Sequence, residues 1–286
     1  MPEGDTIFRA ARALHKALAG ETVKRFETVL PKLARADVDS PVAGRKVEKV
    51  EAQGKWMLMH FSGGLILLTH MLMSGSWHIY RPGEAWKKRS IHKRIVIETE
   101  KLLAVAFNVQ IAEFHSEDSL RRHEQLRRLG PSVLATEFDD AAILRNLRMQ
   151  VNAEVGDALL NQAVLAGIGN VYKSEVCFSC GVNPFRRVET LTIEEMISLV
   201  TTARKLMLEN VITGAIDGAV AYNTLRRTTG RTGPEGRLWV YRQHVCHRCG
   251  GRIEAGKQGE NARISYWCPQ CQPMVEMNKI KMASAG

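Results

Sequence analysis

Residues 160–176 read LNQAVLAGIGNVYKSEV, with Gly167-Ile168-Gly169-Asn170 at their centre. On both sides of the glycines the apolar spacing is that of an amphipathic helix. Two helices joined by so short a link form a helix hairpin, because glycine permits a tight turn and the close approach of another backbone. The amide groups that open the second helix favour an anion, and Asn170 adds a side-chain donor. Taken alone, the stretch is an αα-hairpin with a glycine-rich turn. Its surroundings decide whether an anion is its target.

Downstream, four cysteines are spaced Cys246-x2-Cys249-x18-Cys268-x2-Cys271. Two such knuckles bring four thiolates onto one tetrahedral Zn²⁺. A disulfide framework is the alternative, disfavoured in a reducing cytosol. The segment between the knuckles has few apolar residues, so metal must supply its stability. Four protein ligands leave no open position, which makes the expected single zinc structural. A further pair, Cys177-x2-Cys180, lies inside a helical pattern with no second pair to complete it. It reads as packing and a helix end rather than as a metal or redox motif.

Charge points the same way. The chain has 40 Lys+Arg against 30 Asp+Glu, a net charge of +10, which favours a polyanionic partner. Many soluble proteins are basic, but here the distribution is uneven. Residues 221–271 carry nine basic and three acidic side chains, so +6 of the +10 falls around the four cysteines. Beside a basic zinc module, the Gly167–Asn170 turn reads as a phosphate grip.

Upstream the texture differs. Asp5 or Thr6 can cap a helix whose apolar face is Ile7, Ala10, Ala11, Leu14, Ala17 and Leu18, ended by Gly20. Short β-rich runs follow at residues 22–29, 46–51, 56–61, 65–69, 76–80, 94–98 and 102–107. Gly- and Pro-bearing breaks separate several of them, the pattern of a β-sandwich or barrel. From residue 116 the pattern turns helical, and Gly130-Pro131 makes an inter-domain joint. Residues 214–236 read as a mobile loop, and the chain from Gln272 onward as a frayed tail. No apolar run approaches the roughly 18 residues of a membrane span. The N-terminus, interrupted by charges, does not read as a signal peptide. The expectation is a cytoplasmic, nucleoid-associated monomer with no membrane partner.

MPEGDT (residues 1–6), GIGNVYKSE (167–175) and NARISYWCPQCQ (261–272) together resemble the formamidopyrimidine-DNA glycosylase/endonuclease VIII family. The resemblance runs from Pro2 to Gln272. It implies an α+β, multi-domain protein: an N-terminal β-sandwich with a leading helix, a helix-two-turns-helix domain and a C-terminal β-hairpin zinc finger. The expected bounds are 1–130, 131–239 and 240–286. The implied activity is bifunctional base-excision repair on damaged double-stranded DNA, with glycosidic cleavage followed by strand nicking. Once Met1 is removed, Pro2 is the implied nucleophile and Glu3 the acid, with Lys55 as a strand-borne cation. His70 matches a backbone-contacting position, and Leu72 and Met73 match the wedge that fills the gap left by a flipped base. Asn170 and Arg263 match the phosphate grips. Without the resemblance, residues 71–73 read as core.

Two departures bear on substrate. Purine-excising members carry an Arg-Arg-Phe element after the last sandwich strand, where this chain has AFNVQIAEF. They also have a second Glu where Thr6 stands. Both point to the endonuclease VIII branch and oxidised pyrimidines. The 214–236 loop leaves an oxidised-purine glycosylase as an alternative. A non-catalytic zinc-finger DNA-binding protein and a zinc-ribbon regulator are the others.

Overall fold

The computed structural model describes residues 2–213 and 238–274. They fall into two compact units, the first running to Arg127 and the second taking Arg128–Asn210 with the segment from 238.

The first unit opens with α1 (Gly4–Leu18) and continues through β1 (Arg25–Thr28), α2 (Pro31–Asp39), β2 (Val47–Gln53), β3 (Trp56–Phe61), β4 (Leu65–His70) and β5 (Ser76–Tyr80). It ends with β6 (Lys93–Glu98), β7 (Leu103–Phe107), β8 (Ile111–His115), α3 (Glu117–Arg121) and α4 (Glu124–Arg127). The strands build two antiparallel sheets, ordered β1-β6-β7-β5 and β2-β3-β4-β8. One core lies between them. Met57, Met59, Phe61 and Leu67 enter it from one sheet, and Trp77, Ile79, Ile95, Ile97, Ala104 and Ala106 from the other. Their period of two is what a pleated strand requires. The stripe Ile7, Ala10, Ala11, Leu14, Ala17 and Leu18 of α1 joins the same cluster. Each large aliphatic side chain so buried contributes about 1.5–3 kcal/mol. The seven expected runs correspond to β1–β7. β7 is apolar throughout because its second face is covered as well: Tyr80, Val96, Leu103, Val105 and Phe107 cluster beneath Trp86.

Three expectations need correction. Neither Asp5 nor Thr6 caps α1. The N-cap is Glu3, no side chain caps the helix, and both residues are buried in its first turn. There Asp5 faces the positive end of the helix dipole and pairs with Arg9 at 3.4 Å. The pattern also omitted α2 and β8. α2 buries only Leu33 and starts on Pro31, so its cue was a proline at the first turn rather than a periodic face. β8 has five partly exposed or exposed residues and no apolar alternation.

The second unit holds α5 (Asp140–Arg148), α6 (Val155–Leu160), α7 (Asn170–Ser179), α8 (Ile193–Thr213) and the hairpin of β9 (Glu254–Gln258) and β10 (Arg263–Trp267). α7 is buried from Asn170 to Phe178, the central helix of its unit. Gln258 pins the hairpin to α6: its amide donates to Glu154 at 2.8 Å and to the Pro184 carbonyl at 2.7 Å. Gln272 is not frayed. It is fully buried, donates to the Val182 carbonyl at 2.8 Å and accepts from the Cys268 amide at 3.0 Å. The expected loop at 214–236 and the tail beyond 274 lie outside the described residues. No described helix is long and apolar enough to cross a membrane.

Candidate functional site

Pro2 and Glu3 are both buried at the head of α1. The Glu3 carbonyl accepts the first helical bond, from the Ile7 amide at 3.0 Å. α1 lies against β2 and β3. Those strands meet in a two-residue turn, Gly54-Lys55: Gln53 pairs with Trp56, and Gly54 takes φ +57°. Lys55 is half-buried there. Across the β3–β4 pairing Trp56 faces His70, with ring centroids 4.8 Å apart and edge-on.

His70 Nδ1 accepts the Leu72 amide at 3.1 Å, which leaves the ring proton on Nε2. Burial, and secondarily the Lys55 charge, lowers its pKa to about 4. Near neutral pH it is therefore an uncharged donor through Nε2. Beyond His70 the chain makes a tight loop. Met71 is buried, Leu72 adopts φ +47° and Met73 is 57% exposed. Of the three, only Met71 belongs to the core. The Gly75 amide closes the loop onto the Met71 carbonyl at 2.8 Å, and a Cβ at Gly75 would collide with that backbone. The β7–β8 link consists of Asn108 (φ +54°), buried Val109 and exposed Gln110, with no arginine.

In the second unit Gly167 takes φ +114°, which only glycine adopts readily, and Gly169 has no side chain to cap α7. The Asn170 amide donates to the Ile264 carbonyl at 2.8 Å. That bond ties the head of α7 to β10 one residue from Arg263, an exposed side chain. The structure thus places Asn170 against the strand that carries Arg263. Glu175, which the sequence did not single out, is fully buried and accepts three amides: Trp239 at 2.8 Å, Val240 at 3.0 Å and Tyr241 at 2.9 Å. It seats the segment that leads into the cysteine module. The sequence carried no signal for it, because α7 was expected to be amphipathic and is instead buried on every side from Asn170 to Phe178.

The four sulfurs of Cys246, Cys249, Cys268 and Cys271 lie within 4.8 Å of one another. Two separations are 3.8 Å (Cys246–Cys271) and 3.5 Å (Cys249–Cys268). Metal–sulfur bonds of about 2.3 Å at tetrahedral angles place sulfurs about 3.8 Å apart, so the set fits one ion. The Gly251 amide points at Cys249 Sγ (3.4 Å) and supports a thiolate. Cys177 is different. Fully buried, its thiol is pushed up to about 12, which leaves it inert packing.

Pro2, Glu3, Lys55, His70, Leu72 and Met73 therefore belong to the first unit, and Asn170, Arg263 and the cysteines to the second. Together the two units define a class: a β-sandwich that buries Pro2 and Glu3 at the head of its leading helix, and a helix-hairpin unit that carries a four-cysteine β-hairpin. Residues 1–130 match the formamidopyrimidine-DNA glycosylase N-terminal domain, and residues 129–220 the helix-two-turns-helix domain of the same proteins. The chain is 38% identical over 280 residues to the probable endonuclease 8 2 of Streptomyces coelicolor, covering 95% of this chain and 94% of that one. It is 34% identical to the DNA-(apurinic or apyrimidinic site) lyase Nei2 of Mycolicibacterium smegmatis, covering 95% and 99%. A solved complex of Lactococcus lactis Fpg with DNA containing an abasic site superposes with a TM-score of 0.79, at 21% identity and with 95% and 100% covered. The chain belongs to the formamidopyrimidine-DNA glycosylase/endonuclease VIII family.

Proposed function

We propose that this protein is a DNA glycosylase and abasic-site lyase of base-excision repair that acts through its N-terminal proline and favours oxidised pyrimidines. The observation that carries the reading is the burial of Pro2 and Glu3 at the head of α1, a helix packed on the two strands whose turn bears Lys55. A terminus without a task is ordinarily exposed and frayed.

Loss of Met1 leaves Pro2 a secondary amine. An α-amino group titrates at about 7.7–8.0, against about 10.4 for a lysine, so a useful fraction is unprotonated near neutral pH. The Pro2 nitrogen bonds to C1′ of the sugar as the bond from C1′ to the damaged base breaks, and the base leaves with a proton. Glu3 protonates the opening ring oxygen and shuttles later protons. The resulting iminium acidifies the 2′ hydrogen. Its loss expels the 3′ phosphate by β-elimination, and δ-elimination then expels the 5′ phosphate. Lys55 supplies positive charge beside the phosphates, and His70 offers its Nε2 proton to one of them. Leu72 and Met73 fill the gap left by the flipped nucleotide. Asn170, which keeps a second amide hydrogen, and Arg263 hold the backbone. The short, arginine-free β7–β8 link supports pyrimidine over purine lesions.

One Zn²⁺ held by Cys246, Cys249, Cys268 and Cys271 would be structural, fixing the hairpin that presents Arg263.

Borohydride should trap a covalent complex between the wild-type protein and DNA bearing an oxidised pyrimidine or an abasic site. Pro2→Gly should abolish trapping and leave binding within a few-fold. Intact mass establishes whether Met1 is gone. A correctly processed wild type that cannot be trapped would overturn the mechanism, and a protein that retains Met1 would support DNA binding without catalysis. A panel of single-lesion duplexes tests the pyrimidine preference.

A further inference from the structure

A second cluster of metal-ligating side chains lies in the first unit. Glu113 and His115 stand two residues apart on β8 and so share one face of the strand. His123 comes to them from the link between α3 and α4. Glu113 Oε2 lies 3.1 Å from His115 Nε2 and 3.8 Å from His123 Nε2. All three ligand atoms fall within 4.8 Å of one another. We propose that Glu113, His115 and His123 form a second metal site, taking one divalent transition ion, Zn²⁺ by its donor set.

The geometry is close to what such an ion needs. Bonds of about 2.0–2.1 Å at tetrahedral angles set neighbouring ligand atoms about 3.3 Å apart. The two Glu113 separations, 3.1 and 3.8 Å, bracket that value, and no pair exceeds 4.8 Å. Both imidazoles are held from their far sides. His115 Nδ1 contacts Ser119 Oγ at 3.0 Å, and Ser119 is itself fixed in a capping box with Ser116. The His123 ring lies edge-on to Trp56 at 5.2 Å and to His115 at 5.4 Å. Each histidine side chain is only 14% exposed, whereas Glu113 is 51% exposed. The site therefore opens to solvent on the carboxylate side, where water can complete the coordination. Two imidazoles, one carboxylate and a water make up a familiar zinc set.

Proton placement gives the site a consequence. His123 Nδ1 accepts the Leu126 amide at 3.3 Å, so without metal its ring proton sits on Nε2 and faces Glu113. A metal at Nε2 moves that proton to Nδ1 and releases the Leu126 amide, loosening the first turn of α4. Across Trp56 the same ring lies one aromatic contact from His70. Metal loading should therefore register in the fluorescence of Trp56.

The test titrates Zn²⁺ into full-length protein that already holds one equivalent, followed by calorimetry and metal analysis after desalting. A second equivalent is expected in the wild type, accompanied by a change in tryptophan fluorescence. Glu113→Gln and His123→Gln should each remove it and leave the first equivalent in place. Ser119→Ala, which removes the hydroxyl from the outer nitrogen of His115 and from the capping box with Ser116, should weaken it by about 10-fold. His60→Gln serves as the control, since His60 pairs with Glu51 at 2.9 Å outside the cluster and should leave the stoichiometry unchanged. Glu113 is exposed enough that its amide variant should fold, which circular dichroism verifies. A wild type that stops at one equivalent, or a second equivalent that survives both Glu113→Gln and His123→Gln, overturns the proposal.

Discussion

His70 shows how much of a residue's behaviour is set by its surroundings. Its pKa is lowered to about 4, first by burial and then by the Lys55 charge, against about 6.5 for a free imidazole. Between these values the unfolded chain binds a proton that the folded chain refuses. Stability attributable to His70 is thus fully present above pH 6.5 and is lost as the pH falls toward 4. His78, also lowered to about 4 by burial and by Lys88 and Lys87, acts in the same direction. Replacing His70 with Gln should narrow the difference between urea midpoints at pH 7 and pH 5; an unchanged difference would contradict this origin. His70 entered the sequence reading through family resemblance. Its tautomer and its charge were not legible there, because the first depends on the Leu72 amide and the second on burial and then on the Lys55 side chain.

At the scale of elements, legibility followed the strength of the apolar period. α1 shows a helical stripe and β5 an alternation, while β3 and β4 are near-continuous apolar runs buried on both faces. α2 and β8 bury too little to leave such a trace, so they escaped the reading. The metal-ligating trio went with them, since Glu113 and His115 meet His123 only through a strand and a link that no pattern announced. The four cysteines needed no tertiary information, because two knuckles encode their own geometry. The loop after β4 shows where pattern misleads: three apolar residues in a row read as core, and only Met71 is. Its shape rests on Gly75, where a Cβ would strike the Met71 backbone. Gly75→Ala should cost about 2 kcal/mol by forcing the loop open. Leu72→Gly removes a left-handed leucine worth about 1 kcal/mol of strain and adds a comparable entropy to the unfolded chain. It should be close to neutral in denaturant unfolding while removing the wedge. A neutral Gly75→Ala would show that the loop is not held in this form.

For the whole molecule, the two units depend on metal to different degrees. The cluster around the cysteine module consists of Phe178, Val240, Cys246, Ile253 and Cys268, so two of its five buried members belong to the four-cysteine set that fits a metal ion. The sandwich core contains no cysteine. Chelation should therefore lower or abolish the thermal transition of the second unit and shift that of the first far less, even with the Glu113 site loaded, a difference that calorimetry with and without chelator resolves. The same hairpin should carry much of the salt dependence of DNA binding. Each phosphate neutralised contributes about 0.9 to the slope of log K against log salt. Arg263 is exposed on β10, beside the carbonyl that Asn170 holds, in a stretch that provides +6 of the net +10. Arg263→Ala should reduce that slope by about one and weaken damaged and undamaged duplexes alike. Met73→Ala, which removes an uncharged side chain, should leave the slope unchanged and lower only the preference for the damaged site. If both variants changed the slope equally, phosphate gripping and gap filling would not be divided between the two units in this way.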